Sequence, residues 1–297
     1  LEAEGAFCAL TILSGEFSGD EPVTPSNACV VTVLMKGNDQ GELEIIGYQE
    51  GAVFDQSGNY PIMPEVRLLE NNGEVSVLST YSTADKPEKI DSQLYDYSPE
   101  YSDNTKLKKT QSQTCVDEAE IVRYCIATTA ASGQQTALYT LNAEGELSLL
   151  TTDNRDVLAQ GDIISFRVLT DAESGTTADR LFYLEQVRTE DGGTIQRLKS
   201  VTPDGKQKTD YDIETGATLF DIVRYGGGVY LYWTECSTEE DYLVRCVRYD
   251  PSTDTAYGPF SLVEFNESPC SVNLKSSGTG FYAVDLHTSA GSYRRVS

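Results

Sequence analysis

Asp250-Pro251-Ser252-Thr253-Asp254 sets three oxygen-bearing side chains at alternate positions of one short stretch. Alternating oxygen ligands are what a hard cation such as calcium accepts. The glycine and distal glutamate of an EF-hand loop are missing from their required places, so a plain Asp-Pro turn explains the stretch better. Calcium at Asp250, Ser252 and Asp254 is the one cofactor the residue types suggest.

Seven cysteines sit at 8, 29, 115, 125, 236, 246 and 270. Three local pairings are expected: Cys8–Cys29, Cys115–Cys125 and Cys236–Cys246. Cys236 and Cys246 flank a turn, and a register joining them sets Trp233 opposite Tyr249; neighbouring antiparallel strands can meet the Cα separation a disulfide needs. No spacing is Cys-x-x-Cys, so zinc and thioredoxin chemistry have no support. Three disulfides imply an oxidising, extracytoplasmic compartment. Cys270 is then left over as a buried thiol or a link outside the chain, unless it takes Cys8 and frees Cys29.

His287 is the single histidine, which excludes the two-histidine zinc helix. Asp285 lies two residues before it, but residues two apart on a strand share a face without being placed as base and orienter. There is no Gly-x-Ser-x-Gly elbow. With 47 acidic residues, carboxylate pairs for glycoside chemistry arise by chance. A glycosidase of the sialidase kind also needs an arginine cluster, and neither Arg294-Arg295 nor Arg245 and Arg248 suggests one. Asn266-Glu267-Ser268 is a glycosylation acceptor if the source has a eukaryotic secretory pathway. Gly226-Gly227-Gly228 joins two apolar runs and opens no helix, so it is a hairpin turn and no phosphate cradle.

The charge balance of 22 basic and 47 acidic residues gives −25. Such a surface repels nucleic acid and anionic membrane and favours cations and basic partners. No apolar run reaches the length of about 18 residues that spans a membrane, and no charged-then-apolar segment opens the chain. Beginning at Leu1 without Met, the chain reads as a trimmed portion of a longer product.

These residues must be held by strands. Leu219 to Phe260 runs strand, glycine turn, strand, polar turn, strand, Asp-Pro turn, strand, in short stretches rich in β-branched and aromatic residues. First strands of comparable units begin near 29, 65, 120, 163, 221 and 270. Glu65–Leu69 and Glu74–Thr80 make a hairpin around Asn71-Asn72-Gly73. Residues 81–104 read as a long loop with a weak strand near Ile90–Tyr95; its Tyr-rich part, 93–101, is a recognition loop or a plain excursion. Lys106-Leu107-Lys108-Lys109 reads as an exposed edge strand kept from sticking by lysines. Helix is a minor component at most.

Four short strands in about 42 residues is the size of one propeller blade. Across most of the chain the pattern resembles a β-propeller, although no Trp-Asp dipeptide, kelch pattern or full Asp-box ties it to one family. That resemblance implies an all-β single domain over 1–297 with about six four-stranded blades. In it the N-terminal segment (residues 1–20, strand 7–14) closes the last, incomplete blade. Tandem β-sandwiches are the alternative. The absence of a catalytic signature leads to the expectation of a non-catalytic secreted or cell-surface binding or scaffold domain, part of a larger surface protein or of a self-assembling polymer. Its partners are then a protein or a glycan, with neither nucleic acid nor membrane insertion, and Cys270 or the terminal strand as the handle for self-association. The second reading is an extracellular glycan-acting hydrolase, recognisable by paired carboxylates with a basic clamp.

Overall fold

The structure is a computed structural model that describes residues 2–4, 7–16, 26–38, 40, 42–54, 59–71, 74–101, 106–128, 136–171, 177–225, 228–236, 241–266, 269–276, 282–288 and 293–296. From residue 269 onward the backbone alone is described. Among these residues there is no helix, and so none long and apolar enough to cross a membrane.

The strands form antiparallel sheets in chain order. The first sheet holds β1 (Glu2–Glu4), β2 (Phe7–Glu16), β3 (Ser26–Gly37) and β4 (Leu43–Phe54). The second holds β5 (Pro61–Asn71), β6 (Glu74–Thr83), β7 (Lys86–Tyr97) and β8 (Leu107–Val116). The third holds β9 (Ile121–Thr128), β10 (Thr136–Asn142), β11 (Glu146–Leu150) and β12 (Arg155–Gln160). The fourth holds β13 (Ile163–Thr170), β14 (Ala178–Arg188), β15 (Thr194–Val201) and β16 (Lys208–Thr215). The fifth holds β17 (Ala217–Tyr225), β18 (Gly228–Cys236), β19 (Tyr242–Asp250) and β20 (Thr255–Phe265), and three strands, β21 (Pro269–Ser276), β22 (Tyr282–Thr288) and β23 (Tyr293–Val296), make the sixth.

The described residues therefore form five four-stranded sheets and one of three, the last with the three strands of its own that the sequence implied. The sheets after the first begin within a few residues of the expected starts, because Gly, Pro and Asp turns punctuate each meander. Two expectations are corrected. Much of the stretch expected as a long loop is strand: the weak strand expected near Ile90–Tyr95 is β7, which runs over Lys86–Tyr97 with Ile90 and Tyr95 buried. Proline near its start and alternate charges mask a strand whose inward residues are Ile90, Leu94 and Tyr95. And β2 belongs to the first sheet, not the last. It pairs along its length with β3, from Phe7↔Lys36 to Glu16↔Ser26, and takes β1 on its other edge through Glu4↔Phe7. Pairing with a strand that follows closely costs less loop-closure entropy than pairing across the chain.

The chain divides into two compact units: Leu1–Ile126 with Thr136–Ala143 and Ser148–Asp156, and Ala127–Gln135 with Glu144–Leu147 and Val157–Ser297. In the first unit the second sheet is packed on both faces. Val75 and Val77 of β6 meet Ala9, Leu34 and Leu68, while Leu78 meets Ile121, Tyr124 and Leu138. A strand covered on both sides has no reason to alternate, hence the unbroken burial from Val77 to Thr83. In the second unit Phe182, Leu184 and Leu198 of the fourth sheet close on Phe220, Leu231, Trp233, Val247 and Tyr249 of the fifth.

First strands of neighbouring sheets are tied by arginines. Arg67 donates from Nη2 to the Ile126 carbonyl at 3.1 Å in the first unit. In the second, Arg167 Nε meets Asp221 Oδ1 at 3.0 Å and Arg224 Nε meets the Thr170 carbonyl at 2.9 Å.

Candidate functional site

The densest group of chemistry-bearing side chains lies on one face of the fourth sheet. The register sets Tyr183 opposite Lys199 and Glu185 opposite Arg197, and Lys199 opposite Asp210 in turn. Directly opposed residues of antiparallel strands share a face, so one side of β14–β16 carries Tyr183, Glu185, Arg197, Lys199 and Asp210. A register shift between Arg197 and Lys199 re-aims β16, and Asp212 there has φ of 56°, a conformation non-glycine residues rarely hold. The bulge brings Asp212 Oδ1 to 2.8 Å from Arg197 Nη1.

Lys199 Nζ lies 2.6 Å from Glu185 Oε2 and 3.6 Å from Asp210 Oδ2. Passing through that nitrogen, the two oxygens are at most about 6.2 Å apart, which leaves room for the roughly 5–5.5 Å of a retaining carboxylate pair and falls short of the roughly 6.5–9.5 Å of an inverting one. Arg197 Nη1 reaches Asp210 at 3.6 Å, while its buried Nε–H has no acceptor. A buried donor without a partner costs about 1–3 kcal/mol, so an acceptor is wanted there. Glu185 and Lys199 are about one-fifth exposed. The backbone makes room for Glu185 at Gly161, where an added Cβ would fall 2.1 Å from Glu185 Oε1. Tyr183 is pushed up to about 12 by burial first and then by the charges of Glu185 and Asp210, so its hydroxyl keeps its proton at neutral pH. Paired carboxylates, two cations and a protonated phenol make an acid–base arrangement able to hold a hydroxylated substrate.

The sequence reading missed this face because it looked for neighbours in sequence. The signal was there: Tyr183-x-Glu185, Arg197-x-Lys199 and Asp210-x-Asp212 are spaced by two on three successive strands, and period two is the spacing that shares a sheet face.

The Asp250–Asp254 stretch ends elsewhere. It forms the turn between β19 and β20, and its two carboxylates serve separate partners. Asp250 Oδ1 accepts from the Ser252 amide and hydroxyl at 2.9 and 2.7 Å. Asp254 accepts from Thr209 Oγ1 at 2.6 Å, Tyr211 OH at 2.8 Å and Tyr249 OH at 3.0 Å, with Arg180 Nη1 at 2.9 Å. Both of its oxygens are thereby occupied, and it fastens the fifth sheet to the fourth. Among the described residues no three His, Cys, Asp or Glu side chains gather as a metal would need. In the first unit Asp117 plays a similar part, accepting from Thr140, Asn142 and Arg155 at 2.9, 3.0 and 3.0 Å.

The disulfide expectations are corrected: no disulfide joins the described cysteines. Cys236 stands opposite Tyr242 and Cys246 opposite Tyr232. The two are four positions apart on the ladder, about 13 Å at strand rise, beyond a disulfide's reach. The same register puts Trp233 opposite Arg245, not Tyr249. Cys8 pairs with Met35 while Cys29 pairs with Ser14, and Cys115 and Cys125 belong to different sheets, on β8 and β9. Asn266 is exposed, but the rest of its acceptor triplet lies outside the described residues. So do Gly226 and Gly227, and the side chains of Cys270, His287, Arg294 and Arg295.

No protein-family model matches the chain, and no curated protein matches its sequence. Among solved structures, a protein of Bacteroides fragilis named as a 6-phosphogluconolactonase aligns over 99% of this chain and 81% of its own, at 13% identity and a TM-score of 0.48. Sqt1 of Saccharomyces cerevisiae aligns over 89% and 78%, at 7% identity and a TM-score of 0.40. An exo-β-1,3-galactanase of Phanerochaete chrysosporium, solved with β-1,3-galactotriose, aligns over 93% and 78%, at 9% identity and a TM-score of 0.40. Two of the three carry enzyme names, and none lends support to the expected non-catalytic binding or scaffold domain; at these identities and scores the likeness carries no argument.

Proposed function

We propose that the chain is a hydrolase acting on glycans, on a β-propeller scaffold of about six blades. The observation that carries the activity is the pair Glu185 and Asp210 held on one ammonium, with Lys199 and Arg197 as the basic clamp. Glycoside hydrolysis asks for two carboxylates across the scissile bond, one to donate a proton to the leaving oxygen and one to activate water or attack. In this reading Lys199 and Arg197 hold the two carboxylates in place by charge, and Tyr183 donates from its protonated hydroxyl. What supports the scaffold is the recurrence of four-stranded meanders, each packed on the next within its unit.

An extracellular or cell-surface location with a glycan as partner belongs to the same proposal. The charge of −25 supports it; disulfides no longer do. The test is release of chromophore from a panel of aryl glycosides by the wild type, Glu185→Gln and Asp210→Asn. Turnover reduced at least about a hundredfold in both variants is the expected result for an acid–base pair. No turnover across the panel, or equal rates in all three proteins, sinks the reading and leaves the cluster as an ion-pair ladder between strands.

A further inference from the structure

The outermost strand of the fifth sheet carries Tyr257 and Phe260 at 50% and 55% exposure. Their places on the ladder are set by β19: Tyr257 stands opposite Arg248 and Phe260 opposite Cys246. Arg248 in turn stands opposite Tyr230. One face of β18–β20 therefore reads Tyr230, Arg248, Tyr257 across its width, with Phe260 beside Tyr257, about 7 Å further along the partner strand. Arg248 is exposed, and among the described residues no acid stands within ion-pair distance of it; the nearby Asp250 gives its Oδ1 to Ser252. Gly258 sits under the second ring, where an added Cβ would come within 3.2 Å of Phe260 Cδ2.

We propose that Tyr257, Phe260 and Arg248 form a binding surface for a neutral saccharide chain, separate from the Glu185 site. Aromatic rings with exposed faces stack on the C–H faces of sugar rings, and a guanidinium offers up to five donors to hydroxyls. The charges bear on the occupant. A molecule at −25 repels a polyanion, and at the patch itself the charge of Arg248 is set against that of Asp250, so the patch offers a cation no excess of acid. A second copy adding a strand to β20 is opposed by Pro259, which offers no N–H, and by the two register shifts along β19–β20.

The test is affinity electrophoresis in gels holding a β-1,3-glucan, a β-1,4-galactan or a xylan, with polygalacturonate and chitosan as charged controls. At least one neutral polymer retards the wild type and Glu185→Gln alike. The double variant Tyr257→Ala/Phe260→Ala loses about tenfold or more in affinity, and Arg248→Gln loses about threefold, as expected for truncating stacked anchors against a rim donor. Unchanged melting of the variants shows that they fold. Three results each overturn the proposal: no retardation by any neutral polymer, retardation indifferent to the aromatic pair, or stronger binding to a charged polymer. Since Glu185→Gln is expected to bind normally, failure of the catalytic reading and failure of this surface are told apart.

Discussion

Asp254 concentrates more of the second unit's polar bonding than any neighbour of its turn. Burial pushes its carboxyl up, but the hydroxyls of Thr209 and Tyr211, the charge of Arg180 and the hydroxyl of Tyr249 together outweigh this, and its pKa falls below the ordinary aspartate range. A depressed folded-state value stabilises the fold above the unfolded aspartate pKa and is lost as pH falls through the folded one. Stability is therefore level through neutral pH and drops in acid, and Asp254→Asn, which removes that charge, flattens the acid limb in urea titrations read by circular dichroism. At neutral pH the same variant loses about 2–3 kcal/mol, because Arg180 is left short of its acceptor. Gly161 offers a sharper contrast. Ala there displaces only the end of the Glu185 side chain, so Gly161→Ala is expected to cost under about 1 kcal/mol in stability while abolishing glycoside turnover.

Elements show why local pattern succeeds in some stretches and fails in others. The lysine-rich segment is an edge strand, as its composition implied: β8 is outermost in its sheet and exposed from Lys108 to Thr114. Its lysines keep a row of unpaired backbone groups from meeting another chain. Replacing Lys108 and Lys109 by Val is expected to leave the melting temperature nearly unchanged and to produce aggregates visible by light scattering. The β10–β11 hairpin turns through Gly145 at φ of 76°, and a Cβ there would collide with the Gly161 carbonyl at 2.0 Å. Backbone cannot step aside as a side chain does, so Gly145→Ala costs more than about 2 kcal/mol. The strand β7 reads as only a weak strand near Ile90–Tyr95 because what buries it comes from other strands: Ile90 and Tyr95 pack among residues of those strands.

At the scale of the whole molecule, stability rests on stacked sheets and not on covalent staples. Reductant is expected to leave the melting temperature of the protein unchanged, and burial, which pushes the Cys246 thiol up to about 12, leaves that cysteine inert to iodoacetamide at pH 8 until the chain unfolds. A melting temperature that drops on reduction would show disulfides after all. By itself the sequence determined the all-β class, the starts of most sheets, the β5–β6 hairpin and the lysine-guarded edge, because period-two patterning, turn residues and edge charges act over a few residues. Tertiary structure alone decided the partner of β2, the separation of the cysteines and the gathering of Glu185, Lys199 and Asp210. Each of these depends on which strand lies beside which, and on a register where a slip of one residue turns every side chain to the opposite face.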